Sequence, residues 1–381
     1  MRAKPAFRMN SKADSTLLGP LTSCKPEMLF NEEKNNLPLA LSLYIPKNLG
    51  PDYSHLLIKE ISLYAEKFGS CKAQQTWLRG TPLYSLSSAE ITEISFLTAS
   101  HFQMDEDSYS EYGFECSLND INENNLALMK GLRFTTLSLN LDIQTTPKET
   151  EVETALKLIK QFNFRDIHCH LNTGTIDQSK LNRWLHLLSN NKVSLIEIIG
   201  LKAEISDAIP LDKISKDMKK RGYILLGDRF FVKEGHPLAR SKQKNKLQYI
   251  PNAGISHQGI EDWLGIGIGA IGKVGHAYYQ NVPKKTEYVA NLTKGKLPIC
   301  CSGQHLTKES MHTWELAQQL YCLHQIQLPN TQNESITFKN IQETLSNACK
   351  NGWMYRKGNY FYIKNNGLNH IREICNSLQA Y

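Results

Sequence analysis

The stretch Thr136-Leu137-Ser138-Leu139-Asn140-Leu141-Asp142 sets three leucines on one side of an extended chain and four polar residues on the other. A period of two marks a strand with unlike faces. Working outward, the pattern recurs. Residues 112–118 oppose Phe114, Cys116 and Leu118 to Gly113, Glu115 and Ser117, and residues 166–171 oppose Ile167, Cys169 and Leu171 to Asp166, His168 and His170. The opening stretch begins at Phe134, and residues 39–45, 73–79 and 193–200 are further extended runs. Helical patterns lie between them: Leu57, Ile61, Tyr64, Ala65 and Phe68 form one face closed by Gly69, and Val152, Ala155, Leu156, Ile159 and Phe162 form another. Strand and helix in alternation imply right-handed crossovers and a parallel sheet. The predicted fold is therefore α/β, a full or partial (β/α) barrel of about six units.

A parallel strand covered on both faces is nearly all aliphatic, whereas these strands alternate. The apolar row faces the helices, so the polar row faces the barrel interior, and a polar lumen is a ligand site. The lumen candidates are Glu115, Asp142, His168, His170 and Glu197, with Asp228 from the segment beyond. A half-exposed antiparallel sheet alternates in the same way; the intervening helices disfavour it.

Past residue 205 the character changes. Residues 221–232 read as one more strand, 233–246 are basic, and 265–272 are rich in glycine. Helices over 308–325 and 338–350, a hairpin over 353–364 turning at Lys357-Gly358-Asn359, and a last helix over 368–378 make a mainly helical, winged-helix-like C-terminal domain. The expected organisation is a flexible tail over 1–36, a barrel with its extension over 37–300, and the C-terminal domain over 301–381.

Composition narrows the function classes. Across 381 residues, 44 basic and 37 acidic side chains leave a net charge of +7, which suits a small anionic ligand and does not demand nucleic acid. The nine cysteines include no C-x-x-C or C-x-x-x-C pair, which argues against a disulfide framework, a zinc knuckle or a contiguous iron–sulfur motif. No apolar run approaches the roughly 20 residues of a membrane span. The first ten residues carry Arg2, Lys4 and Arg8 without a following apolar core, so the chain reads as cytoplasmic.

Three motifs invite sharper readings. Gly267-Ile-Gly269-Ala-Ile-Gly272 matches a phosphate-cradling turn, but a poor helix start follows it, so close backbone packing is the expected role. His168 and His170 share a strand face with Glu115, Asp142 and Glu197 near, yet no second ligand pair at fixed spacing supports a metal, and none is expected. The basic stretch with Lys233, Arg240, Lys242, Lys244 and Lys246 precedes a domain whose recognition helix offers few cations, so nucleic acid is not the expected partner.

A family resemblance rests on ordered segments. The barrel is followed by Leu226-Gly227-Asp228-Arg229-Phe230, then Asp262-Trp-Leu-Gly-Ile-Gly-Ile-Gly-Ala-Ile271 with Tyr279-Gln280-Asn281, then a helical domain ending in Ile371-Arg372-Glu-Ile-Cys375. From about residue 37 onward this resembles the oxygen-independent coproporphyrinogen III oxidases of the radical-SAM superfamily. The resemblance implies a 4Fe–4S cluster held by C-x-x-x-C-x-x-C after the first strand, and S-adenosylmethionine beside a Gly-Gly-Gly-Thr-Pro turn. Here Ile45-Pro46 leads through Lys47-Asn48-Leu49-Gly50-Pro51-Asp52-Tyr53 without cysteine, and the second turn reads Leu78-Arg79-Gly80-Thr81-Pro82. Gly80, Thr81 and Pro82 are the remnant of that motif. Glu115 matches the family's strand-three glutamate, while Ser117, Asp142 and His170 depart from its pattern. The expectation is thus a chain without cofactor, neither cluster nor adenosylmethionine, that binds a porphyrin, haem or another carboxylate-bearing ligand in an accessory or repurposed role in haem metabolism. The alternatives are an active oxidase decarboxylating coproporphyrinogen III, or a new lumen enzyme built on Glu115, Asp142 and His170.

Overall fold

A computed structural model describes residues 21–22, 38–48, 50, 52–69, 71–104, 110–145, 148–174, 178–200, 210–250, 254–257, 259–260, 262–275, 277–303, 308–328 and 336–379. Six strands, β1 (Leu39–Ile45), β2 (Lys72–Gly80), β3 (Glu111–Ser117), β4 (Thr136–Asp142), β5 (Asp166–Asn172) and β6 (Leu195–Ile199), lie side by side and parallel in chain order. Helices α1 (Tyr53–Phe68), α2 (Ser88–His101), α3 (Glu123–Gly131), α4 (Glu149–Gln161) and α5 (Gln178–Asn190) follow the first five strands and cover the outer face. The reason is local. In α4, Val152, Ala155, Leu156 and Ile159 are buried on one stripe, and acids in its first turn with Lys160 in its last suit the helix dipole. Ser87 and Glu90 start α2 with reciprocal capping bonds.

The sheet is a partial barrel. After α6 (Leu211–Lys220), a hairpin of β7 (Tyr223–Leu226) and β8 (Phe230–Lys233) adds antiparallel to β6. Residues 221–232 are therefore not one strand. The chain reverses at Gly227, whose φ of +58° and close approach to Tyr321 exclude a side chain, because an added Cβ would lie 2.8 Å from that ring. The short helix α7 (Pro237–Gln243) leads to a separate hairpin, β9 (Leu247–Ile250) with β10 (Gly254–His257), which packs toward the open side of the barrel through Gln75 Nε2 donating to Ser256 Oγ at 2.8 Å. Lys242, in the basic stretch, turns inward, and its Nζ donates to the Leu225 carbonyl at 2.8 Å.

At the other edge, β11 (Asp262–Ile266) pairs parallel to β1, and β12 (Ile271–Val274), β13 (Ala277–Asn281) and β14 (Ile299–Gly303) extend the sheet antiparallel, with α8 (Lys285–Thr293) between the last two. The glycine motif is the β11–β12 turn. A Cβ on Gly267 would lie 2.5 Å from the Tyr44 carbonyl oxygen, so the residues serve close packing, as expected. The strand β14 crosses the boundary expected at residue 300. Of the tail expected over 1–36, Leu21 and Thr22 pair with β14; the rest lies outside the described residues.

The C-terminal unit comprises α9 (Lys308–Leu323), β15 (Gln325–Gln327), α10 (Ile336–Lys350), β16 (Met354–Lys357), β17 (Tyr360–Ile363) and α11 (Ile371–Gln379), with a three-stranded sheet ordered β15, β17, β16. Its core, including Leu320, Ile341, Leu345, Phe361 and Ile374, continues into Leu226 and Phe230 of the barrel hairpin.

Candidate functional site

Register places the polar rows in layers inside the barrel. Glu115 of β3 pairs with Ser138 of β4, which pairs with His168 of β5 and that with Leu195 of β6; one layer on, Ser117, Asn140, His170 and Glu197 align. Glu115, His168, His170 and Glu197 share one cavity of about 60 Å³ with Trp77, Arg79, Glu111, Arg229 and Tyr249. Gly113 is part of the same construction. Trp77 projects across it, and an added Cβ would lie 2.6 Å from the indole, which stacks on His168 with centroids 5.9 Å apart.

Charge in the lumen is paired. Arg79 Nη1 lies 2.8 Å from Glu115 Oε1, and the Gly80 amide donates to Glu115 Oε2 at 2.7 Å. Burial raises the Glu115 carboxyl, but Arg79, His170 and the Gly80 amide together outweigh it and hold the group below its ordinary range. Arg229 Nε lies 2.8 Å from Glu197 Oε1, its Nη2 donates to Tyr249 Oη at 3.0 Å, and His170 Nε2 stands 3.5 Å from Glu197 Oε2. Among the described residues, Ser138 Oγ and His168 Nε2 are buried without a hydrogen-bond partner. The cavity has room for about four or five waters to serve such groups.

Two predicted site residues stand elsewhere. Asp142 closes β4, where its Oδ1 accepts from the Gln144 amide at 3.0 Å and its Oδ2 from Asn172 Nδ2 at 3.4 Å. It therefore works as a strand-end cap and does not join Glu115 and His170. Asp228 lies in the β7–β8 turn and accepts from Arg372 Nη2 at 3.1 Å, from Arg372 Nε, and from Tyr321 Oη at 2.7 Å. It clamps the C-terminal unit to the barrel. Arg79, Arg229 and Trp77 were not singled out as lumen residues; Arg79 had a local signal, lying two positions after Trp77 on the inward row.

A larger cavity, about 330 Å³, opens where β1 and β2 end, lined by Pro46, Asn48, Gly50, Tyr53, Tyr84, Ser85, Leu86 and Glu90. The C-terminal ends of parallel strands are where barrel folds place their sites. Lys47 Nζ lies 4.4 Å from the centre of the exposed Tyr84 ring. Gly80, Thr81 and Pro82 stand beside this mouth: Gly80 has φ +88°, an added Cβ would lie 2.4 Å from the Ile45 carbonyl oxygen, and the Thr81 amide donates to that oxygen at 2.8 Å.

With this geometry the chain aligns with a solved structure of coproporphyrinogen III oxidase from Escherichia coli, described as a radical SAM enzyme. The TM-score is 0.78 at 19% identity, over 91% of each chain. An oxygen-independent coproporphyrinogen III oxidase of Pseudomonas aeruginosa is 23% identical over 338 residues, covering 79% of this chain and 72% of the relative. The chain is thus similar in sequence and in fold to the oxygen-independent coproporphyrinogen III oxidases. No protein-family profile matches it, and no helix among the described residues is long and apolar enough to cross a membrane.

These relatives correct one expectation. A chain reading as cofactor-free shares its fold, over 91% of its length, with a protein described as a radical SAM enzyme, so the expectation of no cofactor does not stand. The residues present set what fits where. Residues 46–52 contain no cysteine, so thiolate-held iron does not fit that loop. Cys71, Cys116 and Cys169 are buried in the barrel core, and Cys322 and Cys375 in the second core.

Proposed function

We propose that this chain handles a carboxylate-bearing tetrapyrrole of the coproporphyrinogen class in haem metabolism, bound at the mouth of the barrel. The observation that carries the reading is the likeness to coproporphyrinogen III oxidases, which spans the barrel, its extension and the C-terminal unit together. The chemistry of the mouth supports it. The cavity there reaches the lower end of the range for small-molecule sites, whereas the lumen below is several-fold too small. Tyr53, Tyr84, Leu86 and Pro46 offer an aromatic and apolar wall for a macrocycle, and Lys47 offers a cation at the rim. Below the mouth, Arg79 and Arg229 hold guanidinium groups, the side chain best suited to pairing carboxylates, against Glu115 and Glu197.

Titration with coproporphyrin III, followed in the Soret region, tests this reading. Saturable binding at one ligand per chain supports it; an unperturbed spectrum refutes it. A second reading, an oxidase acting on coproporphyrinogen, is favoured by the radical SAM description of the Escherichia coli enzyme. Anaerobic reconstitution with iron and sulfide separates the two: substrate-dependent deoxyadenosine gives the chain an oxidase activity, and ligand binding without turnover gives it an accessory role.

A further inference from the structure

Beneath the lumen, at the N-terminal end of β5, a second cluster has formed that the ligand reading does not use. Asp166 and His168, two residues apart on one strand, face His236, which stands just before α7. Among the described residues, these three bring one carboxylate oxygen and two ring nitrogens within 4.8 Å of one another. His236 Nε2 lies 3.4 Å from Asp166 Oδ1. That is the edge expected of a tetrahedral site with bonds of about 2.0–2.1 Å, where two ligand atoms stand roughly 3.3 Å apart. We propose that Asp166, His168 and His236 bind one divalent transition-metal ion of the zinc or cobalt type.

An independent observation points to a ligand here. His168 is 5% exposed, and its Nε2 is buried with no hydrogen-bond partner among the described residues. A buried imidazole is ordinarily satisfied, so the orphaned ring nitrogen leaves an unmet bonding position that a metal can take. Two histidines and one carboxylate make a set that binds zinc, cobalt, nickel or iron and leaves a coordination position open. The surroundings hold the carboxylate in place, because Arg165 Nε lies 3.3 Å from the other oxygen, Asp166 Oδ2.

Binding moves one proton. The His236 Nδ1 accepts from the Leu238 amide at 3.2 Å, so its proton sits on Nε2, toward Asp166. The ion takes Nε2, the proton passes through solvent to Nδ1, and the cap on α7 is released; no net proton leaves this histidine. The site also separates the paired histidines of β5, since His170 faces Glu197 one layer away.

The test uses the untagged full chain, stripped with chelator, and cobalt and zinc alone as probes. One equivalent of cobalt should give visible ligand-field bands that zinc abolishes, and zinc titrated by calorimetry should bind at one site. Asp166→Asn and His236→Gln should each weaken zinc at least tenfold, while His170→Gln leaves it unchanged. Should His236→Gln fail to fold for want of its helix cap, Asp166→Asn, which keeps the side chain's shape, carries the test. Absence of cobalt bands in the wild type, or zinc affinity undiminished in the folded variants, overturns the proposal.

Discussion

Glu60 offers the most quantitative test of how the barrel edge is held. It lies on α1 with no exposed surface, and it accepts from the Gly267 amide at 2.9 Å, from Asn281 Nδ2 at 2.6 Å and from Tyr288 Oη. Those donors come from the β11–β12 turn, from β13 and from α8, so one carboxylate ties the first helix to the sheet extension. Burial dominates and raises its pKa from 4.5 to about 7, although the three hydrogen bonds pull the other way. The folded state thus holds the proton more tightly than the unfolded chain. Stability from this group is full below pH 4.5 and is lost as pH rises through 7. Between pH 5 and pH 8 the loss amounts to about 2–3 kcal/mol. Glu60→Gln removes the titration while keeping the shape. Urea unfolding at both pH values should show the wild type losing about 2–3 kcal/mol more than the variant over that interval. Parallel profiles for the two proteins would refute the assignment of a neutral, buried Glu60.

Other perturbations test the rest. Asp228→Asn breaks the clamp to Arg372 and should cost about 2–3 kcal/mol, with limited proteolysis releasing the C-terminal unit sooner than in the wild type. Gly113→Ala drives a methyl into the Trp77 indole and should destabilise by about 1–3 kcal/mol, with a changed near-ultraviolet signal from the displaced ring; an unchanged melting temperature would contradict the close packing. Lys47→Ala should weaken coproporphyrin binding about tenfold, near 1.4 kcal/mol, and the loss should shrink as salt screens the rim charge.

The alternation in β4 made the lumen legible because a period of two is a local property of the backbone. It failed at its end. At Asp142 the chain leaves the sheet, and the carboxylate turns back to Gln144 and Asn172 instead of continuing the inward row. Asp228 reads as a polar turn residue beside Gly227, and the partner that defines it, Arg372, is 144 positions away, beyond any local pattern. Sequence separation also hid Arg229, which reaches the lumen from a segment after the alternating strands, and His236, which meets Asp166 from just before α7. The glycines of the β11–β12 turn were readable as packing residues because no helix start follows them. The expectation of a cofactor-free chain leaned on seven residues, 46–52, and the likeness of the whole fold to a radical SAM enzyme outweighs a reading taken from one loop.

The mouth of the barrel as a tetrapyrrole site is tested most directly by equilibrium titration of the full chain with coproporphyrin III, compared with the esterified porphyrin that lacks its carboxylates. The account predicts a Soret shift saturating at one ligand per chain, lost for the ester and weakened in Lys47→Ala. Equal binding of acid and ester, or no shift with either, would contradict it.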